Sequence, residues 1–178
     1  MATLYTVGHS TRTLDEFLRV LKAHEITALT DIRAFPMSRR LPHFNRENLD
    51  GALRAEGILY HWIPALGGRR KRIFPKGESP NTALRSDSFR NYADYMLTPE
   101  FRAGIDDLLA FTESHRVAYM CAERVYFHCH RMLVSDYLVS HQHEVLHIDN
   151  EGPAKPHNLL DVARLRDGKL IYNGGELF

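Results

Sequence analysis

The chain has 178 residues, 44% apolar and 25% charged, the composition of an ordinary soluble globular protein. No apolar run approaches the roughly 18 residues that a membrane helix needs, and a net charge of +1 excludes a polycation, so any nucleic-acid contact must come from a local patch. Two cysteines cannot build a disulfide framework, and Met1 to Val7 lacks a basic segment followed by an apolar one, so a reducing cytoplasm is the expected setting.

Leu4 to Val7 is short, apolar and β-prone, and it stops at Gly8-His9-Ser10. Thr13 with Glu16 three residues on forms a capping box, and Leu14, Phe17, Leu18 and Leu21 share one face of the helix that follows. Ile26 to Ile32 is expected as a buried strand ending in Asp31-Ile32-Arg33. Asn45 is placed to cap a second helix carrying Leu49, Ala52 and Leu53, with Gly57 as its stop. Ile58 to Ile63 is a third strand.

From 64 to 88 the periodicity is lost. This long basic loop holds Gly67-Gly-Arg-Arg-Lys-Arg72 and two prolines, Pro75 and Pro80. Loops longer than about 15 residues are uncommon unless they are functional or mobile. A short helix spans Phe89 to Met96. Thr98-Pro99-Glu100 opens another, with Phe101, Ile105, Leu108 and Leu109 as its apolar stripe. Val117 to Met120 is a fourth strand, and a helix from about Cys129 to Ser140 buries Leu133, Tyr137 and Leu138. Val145 to Ile148 is a fifth strand. Asp167-Gly168 signals a hairpin in the tail, and Leu159 to Arg166 fits helix and strand equally.

No internal repeat or linker divides the chain, so 1–178 is expected to be a single domain. Alternating strands and helices imply a Rossmann-like α/β fold, a mostly parallel sheet with helices on both faces and a C-terminal hairpin. Such sheets bind ligands beyond the carboxyl ends of their strands, at a switch in strand order. His9, Ser10, Asp31, Arg33, Cys121 and Glu123 stand at those ends, with His147 and Asp149 as further candidates. Polar strand ends also occur simply because they meet solvent.

The segment from Cys121 to Arg131 admits several chemistries. Cys129 at a helix start, beside His128, His130 and Arg131, suits a stabilised thiolate. Cys121, Cys129 and His130, with His9 or His128 as a fourth ligand, can ligate zinc or iron, although the spacing is not that of a structural zinc motif. Cys121-Ala-Glu123 looks like the cysteine form of a zinc deaminase motif, but no cysteine follows Cys129 to supply the remaining ligands. A helix N-terminus beside Arg131 suits a phosphate or carboxylate, yet the spacing of a cysteine-phosphatase loop is absent, since Ser135 stands six residues after Cys129. The plainest alternative is that both cysteines are small core residues.

Arg33, Arg39, Arg40 and the 69–72 cations suggest a basic rim for a phosphate-bearing ligand or nucleic acid. Phe35, Phe44, Tyr60, Trp62 and Phe74 lie nearby for base stacking, and they serve a core equally well. His157, in a turn-rich tail, is placed to cover the site, although a lone histidine is more often a surface or capping residue.

Thr6-Val-Gly-His9-Ser10, Asp31-Ile-Arg33-x-x-Pro36-x-Ser38-Arg39, Gly57-Ile-x-Tyr60, Leu66-Gly-Gly68, Tyr92-Ala-Asp94-Tyr-Met and Cys121-Ala-Glu123 with Cys129-His-Arg131 together resemble the domain-of-unknown-function 488 family. The resemblance runs from about Tyr5 to Ile148. Where the family commonly has proline between Glu123 and Cys129, this chain has Tyr126 and Phe127. The resemblance implies an α/β fold and strengthens His9, Asp31, Arg33, Cys121, Glu123, Cys129, His130 and Arg131 as site residues, but it supplies no reaction.

The expected function is an enzyme acting on a phosphate-bearing nucleotide or nucleic acid. His9, Asp31 and Glu123 are the acid/base candidates, and Cys129 is the nucleophile or metal ligand. Ser10, Arg33, Arg39, His130 and Arg131 would hold the ligand. A non-catalytic nucleic-acid-binding module and a metal or redox sensor are the alternatives.

Overall fold

The structure is a computed structural model and describes residues 1–174. Five parallel strands form the sheet: β1 (Thr3–Gly8), β2 (Ala28–Asp31), β3 (Leu59–Trp62), β4 (Val117–Cys121) and β5 (Glu144–Ile148). The two-residue β6 (Lys155–Pro156) adds antiparallel to β5, giving the order β3-β2-β4-β1-β5-β6. The sequence thus predicts the fold correctly: a mixed α/β chain with a mostly parallel sheet. Among the described residues no helix is long and apolar enough to cross a membrane.

Strand residues alternate between two cores, as the two-residue period of a strand requires. Tyr5, Val7, Leu29, Ala118 and Met120 pack under α1 (Leu14–Ala23) and α2 (Arg46–Ala55). Leu4, Ala28, Val117, Tyr119 and Val145 pack under α3 (Asp87–Tyr95), α4 (Pro99–Phe111) and α5 (Arg131–Ser140). Thr6, Cys121 and His147 share this second parity. Asp31 has the first, and its carboxylate meets Tyr60 of the first core.

The connections that leave β2 and β4 diverge. From β2 the chain leaves through α2 to β3, and from β4 through α5 to β5 on the opposite side. β2 and β4 are neighbours, so the crevice beyond Asp31 and Cys121 is the switch point where open α/β sheets hold ligands.

Local signals account for most element ends. Thr13 accepts from the Glu16 N–H and Thr98 from the Phe101 N–H, as N-caps do. Asn45 precedes α2 but does not cap it, because its side chain accepts from the Ser38 N–H at 2.6 Å instead. α3 begins at Asp87, two residues before the expected start, because Ser86 caps it. α5 begins at Arg131, not Cys129: a 3₁₀ turn, Tyr126–His128, precedes it and Cys129 is extended. The tail resolves into β7 (Ala163–Arg166) and β8 (Lys169–Tyr172), a hairpin turned by Asp167 and Gly168, both at positive φ. Ala163, Leu170 and Tyr172 join the α5 core. With the sheet, α3 and α4 also contributing to that core, α5 is buried on every face from Arg131 to Leu138.

Candidate functional site

At the switch point lies a cleft of about 540 Å³. Arg33, Ala34, Phe35 and Met37 form one wall, Gly68, Arg69, Phe89 and Tyr92 a second, and Cys121 to Glu123 with His128 to His130 a third. Of the residues predicted from sequence, Arg33, Cys121, Glu123, Cys129 and His130 line it. His9, Ser10, Asp31, Arg39 and Arg131 do not.

Strand parity explains the separation. Asp31 is fully buried on the α1–α2 side, and its carboxylate is saturated. Arg33 donates to it through Nε at 2.9 Å and Nη2 at 2.7 Å, and Tyr60 donates its hydroxyl at 2.6 Å. Burial and the Asp31 charge raise the Tyr60 pKa, so the phenol stays a donor. Arg33 also donates to the Phe44 carbonyl. Asp31 is therefore engaged in holding Arg33 at the cleft wall.

His9 stands behind Arg33. Its Nδ1 donates to the Ser10 carbonyl at 2.8 Å, so Nε2 carries the lone pair that meets Arg33 Nη1 at 3.4 Å. Burial outweighs the Ser10 hydrogen bond and lowers its pKa to about 4, which keeps the ring neutral. Phe44 stacks on it at 4.2 Å. Gly8 permits this corner: a Cβ there would stand 1.8 Å from the Glu123 carbonyl oxygen. Arg39 is exposed in the loop after Arg33 and reaches neither cluster.

On the other side of the sheet the two sulfurs meet at 2.8 Å. Arg131, 1% exposed, donates through Nε to Cys121 Sγ at 3.0 Å and through its backbone N–H to Cys129 Sγ at 3.3 Å. Nη1 donates to Thr6 Oγ1 at 2.8 Å, and Nη2 to the Glu123 and Arg124 carbonyls. No carboxylate touches this guanidinium among the described residues. A buried cation without a counter-ion is costly, and the groups placed to supply the charge are the thiols.

Burial opposes ionisation of Cys129, but hydrogen bonds with Cys121 and His130 and the charge of Arg131 outweigh it, and its pKa falls well below the ordinary range. Cys121 moves the other way, raised by burial and by the adjacent Cys129. The two thiols are thus pushed in opposite directions, Cys129 toward the thiolate and Cys121 toward the thiol. His130 Nε2 donates to the Ile32 carbonyl at 2.8 Å, and Gly68 leaves room for the ring, since a Cβ there would lie 3.0 Å from its Nδ1.

The metal reading of Cys121, Cys129 and His130 does not fit this arrangement. A guanidinium stands where a cation would bind, and His130 turns Nε2 to a carbonyl. Among the described residues no group of three His, Cys, Asp or Glu is placed to hold a metal ion.

The basic loop divides as well. Arg70 is tied down, donating to the Gly67 and Pro64 carbonyls and stacking on Tyr95 at 3.8 Å. Arg69, Lys71 and Arg72 are exposed, and Arg69 lies over the Phe35 ring at 5.8 Å. Of the candidate stacking rings, Phe44 and Tyr60 are core, Trp62 donates to the Arg33 carbonyl beneath Arg46, and Phe35 is 69% exposed on the cleft.

Thr6, Tyr92 and Asp136 touch the site or its supports, and sequence reasoning did not place them there. Tyr92 donates to the Leu66 carbonyl at 2.7 Å and packs on His130. Asp136 sits in the apolar run from Met132 to Leu138, where an unexplained acid was the available signal.

Comparison with curated proteins and with solved structures finds no match. A family model described as domain of unknown function DUF488 matches residues 13–138. That span holds Asp31, Arg33, Cys121, Glu123, Cys129, His130 and Arg131, whereas Thr6, His9, His147 and His157 fall outside it. With most of its length matched, the chain belongs to the DUF488 family.

Proposed function

We propose that the chain is a thiol-dependent enzyme in which the Cys129 thiolate is the nucleophile and the cleft takes a phosphate-bearing nucleotide or nucleic-acid end. The observation that carries the thiolate is the buried Arg131 guanidinium, which among the described residues touches no carboxylate and donates to the thiol pair at Cys121 Sγ. Wall composition supports the ligand class. Exposed Phe35 and neighbouring Phe89 offer faces for a base, while Arg69 and His128 offer donors to phosphate. A cleft of about 540 Å³ is of the size that small ligands occupy. Glu123, exposed at the mouth, is the acid/base candidate with access to a bound ligand.

The test is ligand protection. Cys129 should react with iodoacetamide faster than free cysteine at pH 7, and a nucleotide or short single-stranded oligonucleotide from a panel should slow that reaction. An ordinary alkylation rate removes the thiolate. A fast rate that no member of the panel slows removes the ligand class.

The 2.8 Å sulfur contact favours a second reading, reversible dithiol oxidation. Hydrogen peroxide is the co-reactant. The Cys129 thiolate attacks one peroxide oxygen, the O–O bond breaks, and a proton completes the departing water. The Cys121 thiol then displaces the second oxygen as water and an S–S bond forms. Intact mass lower by two hydrogens, restored by dithiothreitol, is the expected signature. Accumulation of Cys129 sulfinic acid instead would exclude Cys121 as the resolving thiol.

A further inference from the structure

A buried chain of side chains runs from Arg131 away from the cleft. Thr6 Oγ1 meets His147 Nδ1 at 2.9 Å, His147 Nε2 meets His157 Nδ1 at 2.8 Å, and His157 Nε2 meets Asp136 Oδ1 at 2.7 Å. Thr6 and Asp136 are fully buried and both histidines are 7% exposed. Tyr126 stacks flat on His147 at 3.6 Å. Asp136 also accepts from the Leu160 N–H and the Tyr172 hydroxyl, beneath the C-terminal hairpin.

Hydrogen bonding sets the direction of this chain. Thr6 Oγ1 accepts from Arg131 Nη1, so its own hydrogen needs another acceptor, and His147 Nδ1 is the one in reach. His147 must then carry its proton on Nε2 and donate to His157 Nδ1. His157 in turn carries its proton on Nε2 and donates to Asp136. Every donor points from the buried cation toward the buried anion, through two neutral rings. Burial pushes the His147 pKa down to about 3, in keeping with a neutral ring.

We propose that Thr6, His147, His157 and Asp136 are positioning residues for the thiol site: the acceptor at Asp136 fixes the hydrogen-bond direction that turns the Thr6 lone pair to Arg131 and so holds the guanidinium on the sulfurs. The opposite direction would set an N–H of His147 and an N–H of Arg131 against Thr6 together, leaving its hydroxyl hydrogen without a partner. The inference rests on the thiolate reading of Cys129. It also assigns a role to residues outside the family match, since Thr6, His147 and His157 all lie beyond 13–138.

Among the described residues, the titratable and charged groups that face Cys129 are Cys121 and Tyr119 from β4, His130 just before α5, Arg131 at its start and Tyr92 from α3. Thr6 bonds to this set through Arg131, whereas Asp136 also lies near Tyr119, so Thr6→Val isolates the Arg131 route.

The experiment is the pH dependence of Cys129 alkylation, followed by peptide mass spectrometry in the full chain. Wild type should show a midpoint below that of free cysteine. Thr6→Val should raise the midpoint by about one unit, the scale set by a displaced neighbouring charge, and Asp136→Leu, which removes the acceptor that an asparagine would keep, should do the same. Thr6→Ser should restore it, which a merely space-filling role for Thr6 would not require. A wild-type midpoint near the free-cysteine value of about 8.5 overturns the thiolate reading itself. A low wild-type midpoint that stays low in folded Asp136→Leu and in Thr6→Val overturns the relay alone.

Nitrogen-15 NMR on the wild type decides the matter without any variant. His147 and His157 should both be neutral with the proton on Nε2 at pH 7. A cationic His147, or a proton on its Nδ1, overturns the relay.

Discussion

Arg131 donates to the sulfur of Cys121 at 3.0 Å from a position 1% exposed to solvent. The guanidinium makes bonds in four directions, to sulfur, to hydroxyl and to two carbonyls, in a fork that an ammonium cannot reproduce. Arg131→Lys should therefore lose roughly 2–4 kcal/mol of stability by urea denaturation, since several buried acceptors go unpaired. Equal stability of the lysine variant would mean that the fork is not what holds the α5 start.

The Asp31–Arg33 pair behaves as a unit. Asp31→Asn and Arg33→Met each leave a buried charge without its partner, and each should cost about 3–5 kcal/mol. The double variant should cost less than the sum, because neither charge then remains. Tyr60→Phe removes one donor at 2.6 Å and should cost about 1–2 kcal/mol. Additive single costs in the double-mutant cycle would show that the pair is not coupled.

Two glycines separate packing from chemistry. A Cβ at Gly8 meets the Glu123 carbonyl oxygen at 1.8 Å, which backbone cannot yield, so Gly8→Ala should fail to fold or lose more than about 4 kcal/mol. A Cβ at Gly68 meets the His130 ring at 3.0 Å, and a ring can move. Gly68→Ala should keep the fold within about 1–2 kcal/mol while slowing Cys129 alkylation at pH 7, because the histidine is pushed off its station. A variant that keeps the wild-type rate would remove His130 from the thiol's support.

The neutral buried histidines predict acid sensitivity. His9 has its pKa lowered from 6.5 to about 4 and His147 to about 3. In both cases the unfolded chain takes up a proton first as the pH falls. Their contribution is whole above about 6.5 and is lost as the pH drops toward 4, so stability rises with pH across that window. For His9 the loss amounts to roughly 3 kcal/mol at the 1.36 kcal/mol expected per unit. Urea midpoints between pH 7.5 and 4.5 should fall in wild type and fall less in His9→Gln. A flat wild-type profile would mean that the rings already carry a proton in the folded chain.

Periodicity and capping residues made the fold legible: strand parity, Thr13, Thr98 and Asp167-Gly168 each act over a few residues, and each is where the structure has it. Two boundaries were missed for local reasons: Ser86 caps α3 two residues early, and the start of α5 is delayed by the Tyr126–His128 turn. Asn45 stands before α2 as expected but spends its side chain on Ser38. The site was legible as a set of strand ends but not as an arrangement. Parity places Asp31 and Cys121 on opposite sides of the sheet, and a sequence shows that only once the strand register is known. His147, His157 and Asp136 are far apart in the chain and meet only because β5, β6 and α5 pack together, so no spacing rule could join them.

Exposure divides the basic loop into cations that build and cations that are free to bind, and this separates an enzyme from a nucleic-acid-binding module. Arg70 stacks on Tyr95 and holds two carbonyls, so Arg70→Ala should lower thermal stability. Arg69, Lys71 and Arg72 are exposed, and neutralising all three should leave the melting temperature within about 2 °C. If the loop tracks a phosphate backbone, the triple variant should weaken single-stranded oligonucleotide binding and flatten its dependence on salt by about 0.7 for each phosphate no longer neutralised. Cys129→Ser in the same assay should bind as wild type. Binding abolished in the triple variant, with no ligand protection of Cys129 in wild type, would favour the binding module. Binding that survives the triple variant while ligand protects Cys129 would place recognition at Phe35, Phe89 and His128, and favour the enzyme.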